Sequence, residues 1–347
     1  MLATLRSVAK RLPVIGQLIG QREQLRDALA HMTAERDALR AGSAPPSHDA
    51  SGHDSALLAA TAELAELRTA CGFVPPGHYY SPLPALAEIR RDEARIFGPM
   101  PRTIPGVDLR EREQLALLQE FAKFYPDIPF ADRPTAGLRY YYDNQSYSYS
   151  DAIMLHCMLR HLKPRRLIEI GSGYSSCVTL DTDQYFLGGT LAATFIEPYP
   201  ELLLSLTSDA DQARITVIPK RLQDVDVEVF KSLNAGDILF IDSTHVSKID
   251  SDVNRLFFDI LPVLAPGVVI HFHDIFYPFE YPKEWIYFGR AWNELYMLRT
   301  FLQYNNEFSV LLMNTFMAHF HRPLFEQQMP LCLKNTGGSI WLEKHQP

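Results

Sequence analysis

The hydrophobic pattern changes character near residue 150. Beyond it, short and fully apolar runs alternate with runs whose apolar residues recur at helical spacing. SDAIMLHCMLRHL (150–162) is of the second kind, with Ser150 as its expected cap and Asp151 in the first turn. Strands are predicted at RRLIEI (165–170), TLAATFIEP (190–198), ARITVIP (213–219), DILFID (237–242) and GVVIHFHD (267–274). Two more follow at FSVLLMN (308–314) and SIWLEK (339–344). Helices are predicted between them: one opened by GSGYSS, then ELLLSL (201–206), DVEVFKSL (226–233), DVNRLFFDILPVL (252–264) and GRAWNELYMLRTFLQY (289–304). Strands without a polar face need cover on both sides. Alternating with helices, they predict an α/β domain over 150–347 built on a parallel, doubly wound sheet.

The first 149 residues read differently. Leu18, Leu25, Met32 and Leu39 recur at seven-residue spacing, a short coiled-coil-like seam over 16–40 that offers self-association or pairing with 55–69. AGSAPPSHDASGHD (41–54) is a linker by composition, and a helix is predicted at 55–70. These make an N-terminal helical segment, 1–70. Residues 71–149 form an irregular, aromatic-rich cover region with one helix at 109–125. Its run RYYYDNQSYSYSDA (139–152) suits either a ligand mouth or an ordinary cover of the core.

Composition narrows the class. With 347 residues, 47% apolar and a net charge of −8, the chain suits a soluble globular protein with one large domain and an appended segment. No dense Lys/Arg cluster points to nucleic acid. The cysteines at 71, 157, 177 and 332 are too scattered for a thiolate zinc site or a disulfide framework, so a cytoplasmic setting is expected. No apolar run is long enough for a transmembrane helix. Residues 1–20 mix basic and apolar positions; a lead-in to the next helix is preferred to a signal peptide or a surface-lying amphipathic segment.

Ligands of parallel α/β sheets sit beyond the carboxyl ends of the strands. There the sequence places Glu169, Glu197, Asp224, Asp242 and Asp274, one acidic residue at each of five successive strand ends. Gly171 and Gly173 frame a tight turn after the first strand, where a ligand can approach the backbone closely. A dinucleotide fingerprint would want a third glycine at 176, which is serine. Glu197 is placed to accept hydrogen bonds from ribose hydroxyls.

Four stretches, IEIGSGYSS, FIDSTH, HDIFYPFEYP and GGSIWLEK, carry a resemblance. From about 140 to 343 the chain resembles class I S-adenosylmethionine-dependent methyltransferases of the bacterial small-molecule group. The resemblance implies a Rossmann-like, seven-stranded sheet whose last strand is antiparallel. It implies S-adenosylmethionine as cofactor, with Glu169, Gly171, Ser172 and Gly173 at its methionine end, Glu197 at the ribose, Gln223 and Asp224 at the adenine, and Asp242 beside them. A cationic sulfonium ligand agrees with an acidic crevice.

The domain also resembles catechol-type and macrolide-sugar O-methyltransferases, in which a divalent metal holds the acceptor hydroxyl. The matching positions are Asp242, His273 and Asp274, for Mg²⁺ or, because of the histidine, another divalent metal. The catechol-type pattern has Asp-Asn at the fifth strand, where this chain has His-Asp. His245 stands where those enzymes carry a lysine base. A histidine titrating near neutrality serves that role without a metal, with Asp242 as its companion. His271 is expected to be a hydrogen-bonded core residue, and His319 and His321 to mark a loop after the sixth strand. Arg290, Trp292, Asn293 and Glu294 are placed facing the pocket. FYPFEYP (276–282) with Trp285 suits a sugar or flat acceptor, and equally plain packing.

The expected function is therefore methyl transfer to a hydroxyl of a small molecule or glycan sugar. Two other classes remain open in the sequence: a non-haem iron hydroxylase using His245, His273 and Asp274 or Asp242, and a non-enzymatic scaffold with an inert methyltransferase domain.

Overall fold

The structure is a computed structural model and describes residues 58–59, 61–66 and 73–345. The seam expected at 16–40 and the linker at 41–54 lie outside the described residues. Of the helix expected at 55–70, residues 58–59 and 61–66 are described and helical. The chain divides into two compact units, Met1–Ala85 and Leu86–Pro347, and everything below concerns the second.

Its centre is one seven-stranded sheet in the order β3-β2-β1-β4-β5-β7-β6. β1 (Arg166–Ile170), β2 (Ala192–Ile196), β3 (Thr216–Ile218), β4 (Ile238–Ile241) and β5 (Val269–His273) run parallel. β7 (Ser339–Lys344) is inserted antiparallel between β5 and β6 (Phe308–Met313). The Rossmann-like sheet with its antiparallel last strand is thus present as expected. β4 and β5 are buried at every position, so both faces of the sheet need cover, which accounts for their unbroken apolar sequence.

The sheet order reverses between β1 and β4. β1 carries β2 on one side and β4 on the other, and this topological switch opens a crevice at the carboxyl ends. Along that edge the five acidic strand ends line up spatially as Asp224, Glu197, Glu169, Asp242 and Asp274.

Several local expectations are corrected. Ser150 caps nothing: the helix runs Tyr149–Leu162 with Ser148 at its cap position, and Ser150 and Asp151 are buried within it. Residues 226–233 form a 3₁₀ turn, Val227–Ser232, capped by Asp226 through the Glu228 amide. The helix over 252–263 widens to π geometry at Leu256–Ile260, just before Pro262, which has no N–H for a regular turn. The helix expected from 289 begins at Glu294 and ends at Leu302. Its first turn is capped from outside, the His245 carbonyl accepting the N–H groups of Asn293 (3.0 Å) and Glu294 (3.1 Å). Short helices at Leu86–Arg91, Glu93–Ile96 and Lys283–Tyr287 were not predicted; all are too short to show a period. The helix Glu111–Phe124 matches expectation within two residues.

Candidate active site

The turn after β1 is the tightest approach in the crevice. Gly171 has φ +77°, and a Cβ there would lie 2.0 Å from the Asp242 carbonyl oxygen, so only glycine fits where β1 and β4 part. Glu169, one residue from the end of β1, is fully buried. Its Oε1 accepts the Ser175 hydroxyl (2.6 Å) and the Ser176 hydroxyl (2.9 Å), while Oε2 has no partner. Burial pushes its pKa up to about 8, against the two serine hydrogen bonds. The Ser172 hydroxyl is likewise buried and unpartnered. Glu197, half-buried after β2, accepts the amides of Ser172 (3.3 Å) and Tyr199 (2.9 Å), which orients it toward the same turn.

After β3, Asp224 is held by the Arg221 guanidinium in two hydrogen bonds, 2.9 and 3.0 Å, and this partner lowers its pKa. Gln223 donates to the Asp250 carbonyl (2.6 Å). Both stand on the rim of the crevice at its β3 end.

The ends of β4 and β5 converge on His245. Its Nδ1 bonds the Glu294 carboxylate at 2.8 Å, and its Nε2 lies 3.3 Å from Asp242 and 3.6 Å from Asp274. Glu294, fully buried, also accepts the Ser243 hydroxyl at 2.9 Å, so its carboxylate is fixed on both oxygens. His245 (φ +61°) and Asp274 (φ +57°) both occupy the left-handed region, which side chains other than glycine rarely adopt. Two such residues facing one another are a local cost that the surrounding packing must hold, and such costs concentrate at functional sites.

His245 is not near-neutral as expected. Burial alone would lower its pKa, but the hydrogen bonds to Asp242 and Glu294 outweigh it and push it up to about 10. For Asp242, burial opposes ionisation, yet His273 and His245 hold its pKa below the usual value. Burial raises that of Asp274 against the same two imidazoles. His273 lies 3.6 Å from Asp274, and Asp274, Asp242 and Asp151 raise its pKa against burial.

Asp151 was read from sequence only as a first-turn residue. It turns inward and accepts the Gly338 amide (3.2 and 3.1 Å) and the Asn314 side-chain amide (3.0 Å). Gly337 (φ +72°) has no room for a Cβ, which would meet that carboxylate at 2.4 Å. The only sequence signal was an acidic residue on an otherwise apolar helix face.

The metal expectation draws no support from this geometry. Among the described residues no group of three or more His, Cys, Asp or Glu side chains is arranged to hold a metal ion. Asp242 and Asp274 both face the His245 Nε2, which takes the place between them that a cation would need. The same holds for the two-histidine set of an iron hydroxylase: Asp274 lies 3.6 Å from both His245 and His273, but among the described residues these side chains form no group arranged to hold a metal.

His271 is buried but not hydrogen-bonded: both nitrogens lack partners, and the ring is stacked on Phe240 (4.0 Å) and tilted against Trp341 (4.5 Å). Burial pushes its pKa well below the usual value, so it is a neutral core residue. His319 lies within the helix Asn314–Phe320 instead of a loop, and His321, at its end, pairs with Glu111 at 2.6 Å.

The cofactor implied by the resemblance is tested by this geometry and fits it. An unpartnered buried carboxylate oxygen, an unpartnered buried hydroxyl and a glycine turn that no side chain could enter lie together at the switch point. A cation with hydrogen-bond donors answers all three. Such a sheet and crevice define a class I methyltransferase domain. The family described as a methyltransferase domain matches residues 168–275, from β1 to the end of β5. An uncharacterized protein of Archaeoglobus fulgidus is 33% identical over 167 residues, 47% of this chain and 75% of that one. The chain belongs to this family, the class I S-adenosylmethionine-dependent methyltransferases.

Among solved structures, the methyltransferase PaMTH1 of Podospora anserina, bound to S-adenosylhomocysteine, is 15% identical with a TM-score of 0.37, covering 75% of this chain and 96% of that one. The O-methyltransferase TomG of Streptomyces achromogenes, in complex with S-adenosylmethionine, is 16% identical with a TM-score of 0.35, covering 69% and 92%. Likeness at that level says nothing of substrate. No described helix is long and apolar enough to cross a membrane.

Proposed function

We propose that the protein transfers a methyl group to a hydroxyl oxygen of a small molecule or glycan sugar, with His245 as the proton acceptor and without a metal. The observation that carries this reading is the His245 imidazole. It is fixed through Nδ1 by Glu294, and its Nε2 stands between Asp242 and Asp274, the carboxylates that follow β4 and β5.

Bound in the crevice, S-adenosylmethionine supplies an electrophilic methyl carbon on a sulfonium. The chain's part is alignment and proton removal. Glu169 Oε2 and the Ser172 hydroxyl receive donors at the methionine end, and Glu197 receives the ribose hydroxyls. Gln223 and Asp224 border the adenine. Gly171 and Gly173 let the backbone stand close. The acceptor hydroxyl lies against His245 Nε2 and gives its proton there. Glu294, at Nδ1, and Asp242 stabilise the imidazolium that results. In the cofactor-free protein Asp242 and Glu294 hold His245 protonated; proton acceptance at Nε2 requires the neutral imidazole, which a sulfonium bound near these carboxylates would favour.

Isothermal calorimetry with S-adenosylmethionine tests the reading. Saturable binding is expected, with Glu197→Ala weakening it by about tenfold or more, and binding unaffected by EDTA. No binding to the wild-type chain, or none that Glu197→Ala changes, overturns it. Binding or turnover that needs an added divalent ion overturns its metal-free form.

A further inference from the structure

Beside His245 stands an aromatic wall that methyl transfer itself leaves unused. The Trp292 indole is tilted against the His245 imidazole with centroids 4.4 Å apart. The Arg290 guanidinium lies 4.8 Å from the centroid of that indole and 3.9 Å from that of Trp285. The two indoles meet edge to face at 5.4 Å, backed by Phe276 (5.1 Å from Trp285) and Tyr281 (6.0 Å from Trp292). One indole therefore separates the proton acceptor from a positioned cation.

Most of the described arginines, Arg91, Arg95, Arg102, Arg139, Arg160 and Arg221 among them, are paired with carboxylates. Among the described residues none pairs with Arg290, which is exposed. Its guanidinium carbon lies over both rings and, among the described residues, no carboxylate takes its fork of N–H donors, which remains to bind. The loop holding it is tied at both ends: the Arg290 amide donates to the Trp285 carbonyl at 3.0 Å, and the Asn293 amide to the His245 carbonyl at 3.0 Å. The crevice beyond is rich in carboxylates, which repel an anion. A guanidinium held over the two indoles next to it is the feature that lets one dock.

We infer that the acceptor is an anionic ring compound, its carboxylate or phosphate held bidentately by the Arg290 edge and its ring laid along the Trp285–Trp292 surface. This rests on the methyl-transfer reading of the site and names the acceptor class for it. Planar forks match planar oxyanions with two parallel hydrogen bonds, and indole faces suit sugar rings as well as aromatic ones.

The chain has three tryptophans, of which Trp341 is buried in β7 and shielded from a ligand, so ligand-dependent changes in intrinsic fluorescence report on Trp285 and Trp292. The wild-type chain and Arg290→Ala, each saturated with S-adenosylhomocysteine, would be titrated with D-glucuronate, D-glucose 6-phosphate, D-glucose and methyl D-glucuronate. The expected result is saturable quenching by at least one anion, with the neutral sugars weaker by about tenfold or more. Whichever anion binds tighter identifies the group as carboxylate or phosphate. Arg290→Ala is expected to lose about tenfold for the anion while its calorimetric affinity for S-adenosylhomocysteine stays as in wild type. No saturable quenching by either anion, equal binding of charged and neutral sugars, or an unchanged Arg290→Ala overturns the inference alone, provided S-adenosylhomocysteine binds. If S-adenosylhomocysteine fails to bind the wild-type chain, the methyltransferase reading falls and this inference with it.

Discussion

Glu169 has one carboxylate oxygen satisfied by two serines and one left without a partner, at full burial. Its pKa of about 8 in the cofactor-free protein stands well above the ordinary glutamate value of about 4.3. Between those two values the folded chain holds a proton that the unfolded chain has lost, so stability falls as pH rises toward 8. A cationic ligand at Oε2 reverses the preference, because it binds the ionised form. Affinity for S-adenosylmethionine should therefore rise with pH, by at most about tenfold per unit, and level off above 8. Calorimetry at a series of pH values checks this against Glu169→Gln, which should show a flatter profile; an equal slope in the variant would remove Glu169 from the cofactor site. The acidic strand ends were legible in the sequence because their positions follow from the strand pattern. The charge state of His245 was not. It depends on Glu294, 49 residues further on and placed only by the fold.

Element boundaries show the same division. Strands were legible because a run apolar on both faces has one solution, a central strand of a covered sheet. Helix starts failed where the cap comes from elsewhere: the His245 carbonyl sets the start of Glu294–Leu302, and no local pattern near 289 records that. The cover region is fastened in a similarly non-local way. Arg139 donates through Nη1 to Asp181 at 2.6 Å, through Nε to Asp211 at 2.9 Å and through Nη2 to Gln184 at 2.8 Å. Asp181 also accepts the amides of Arg139 and Tyr140, each at 2.9 Å, and its side chain is fully buried. Arg139 thus pins the aromatic run to the helix Tyr174–Thr182. Arg139→Ala leaves Asp181 buried without its cation and should cost about 3 kcal/mol or more, read as a lowered urea midpoint. A loss under about 0.5 kcal/mol would mean the backbone amides alone hold Asp181.

At the scale of the whole molecule, all the residues assigned to cofactor and acceptor fall within the unit Leu86–Pro347. The sequence placed Arg290 and Trp292 at the pocket and Trp285 among candidate acceptor aromatics, but not their contact with one another, which comes through the loop between Lys283–Tyr287 and Glu294–Leu302, whose path has no periodic signature. The heptad spacing of Leu18, Leu25, Met32 and Leu39 remains the sole ground for proposing that residues 16–40 join copies of the chain. A chain of residues 86–347 separates the two roles. It should bind S-adenosylmethionine within about twofold of the full chain, since no site residue is removed. By light scattering it should be monomeric where the full chain is larger. Lost cofactor binding would place part of the site in the first 85 residues. An unchanged oligomeric state would end the proposal that the seam pairs chains, because the truncation removes every leucine and methionine on which that pairing depends.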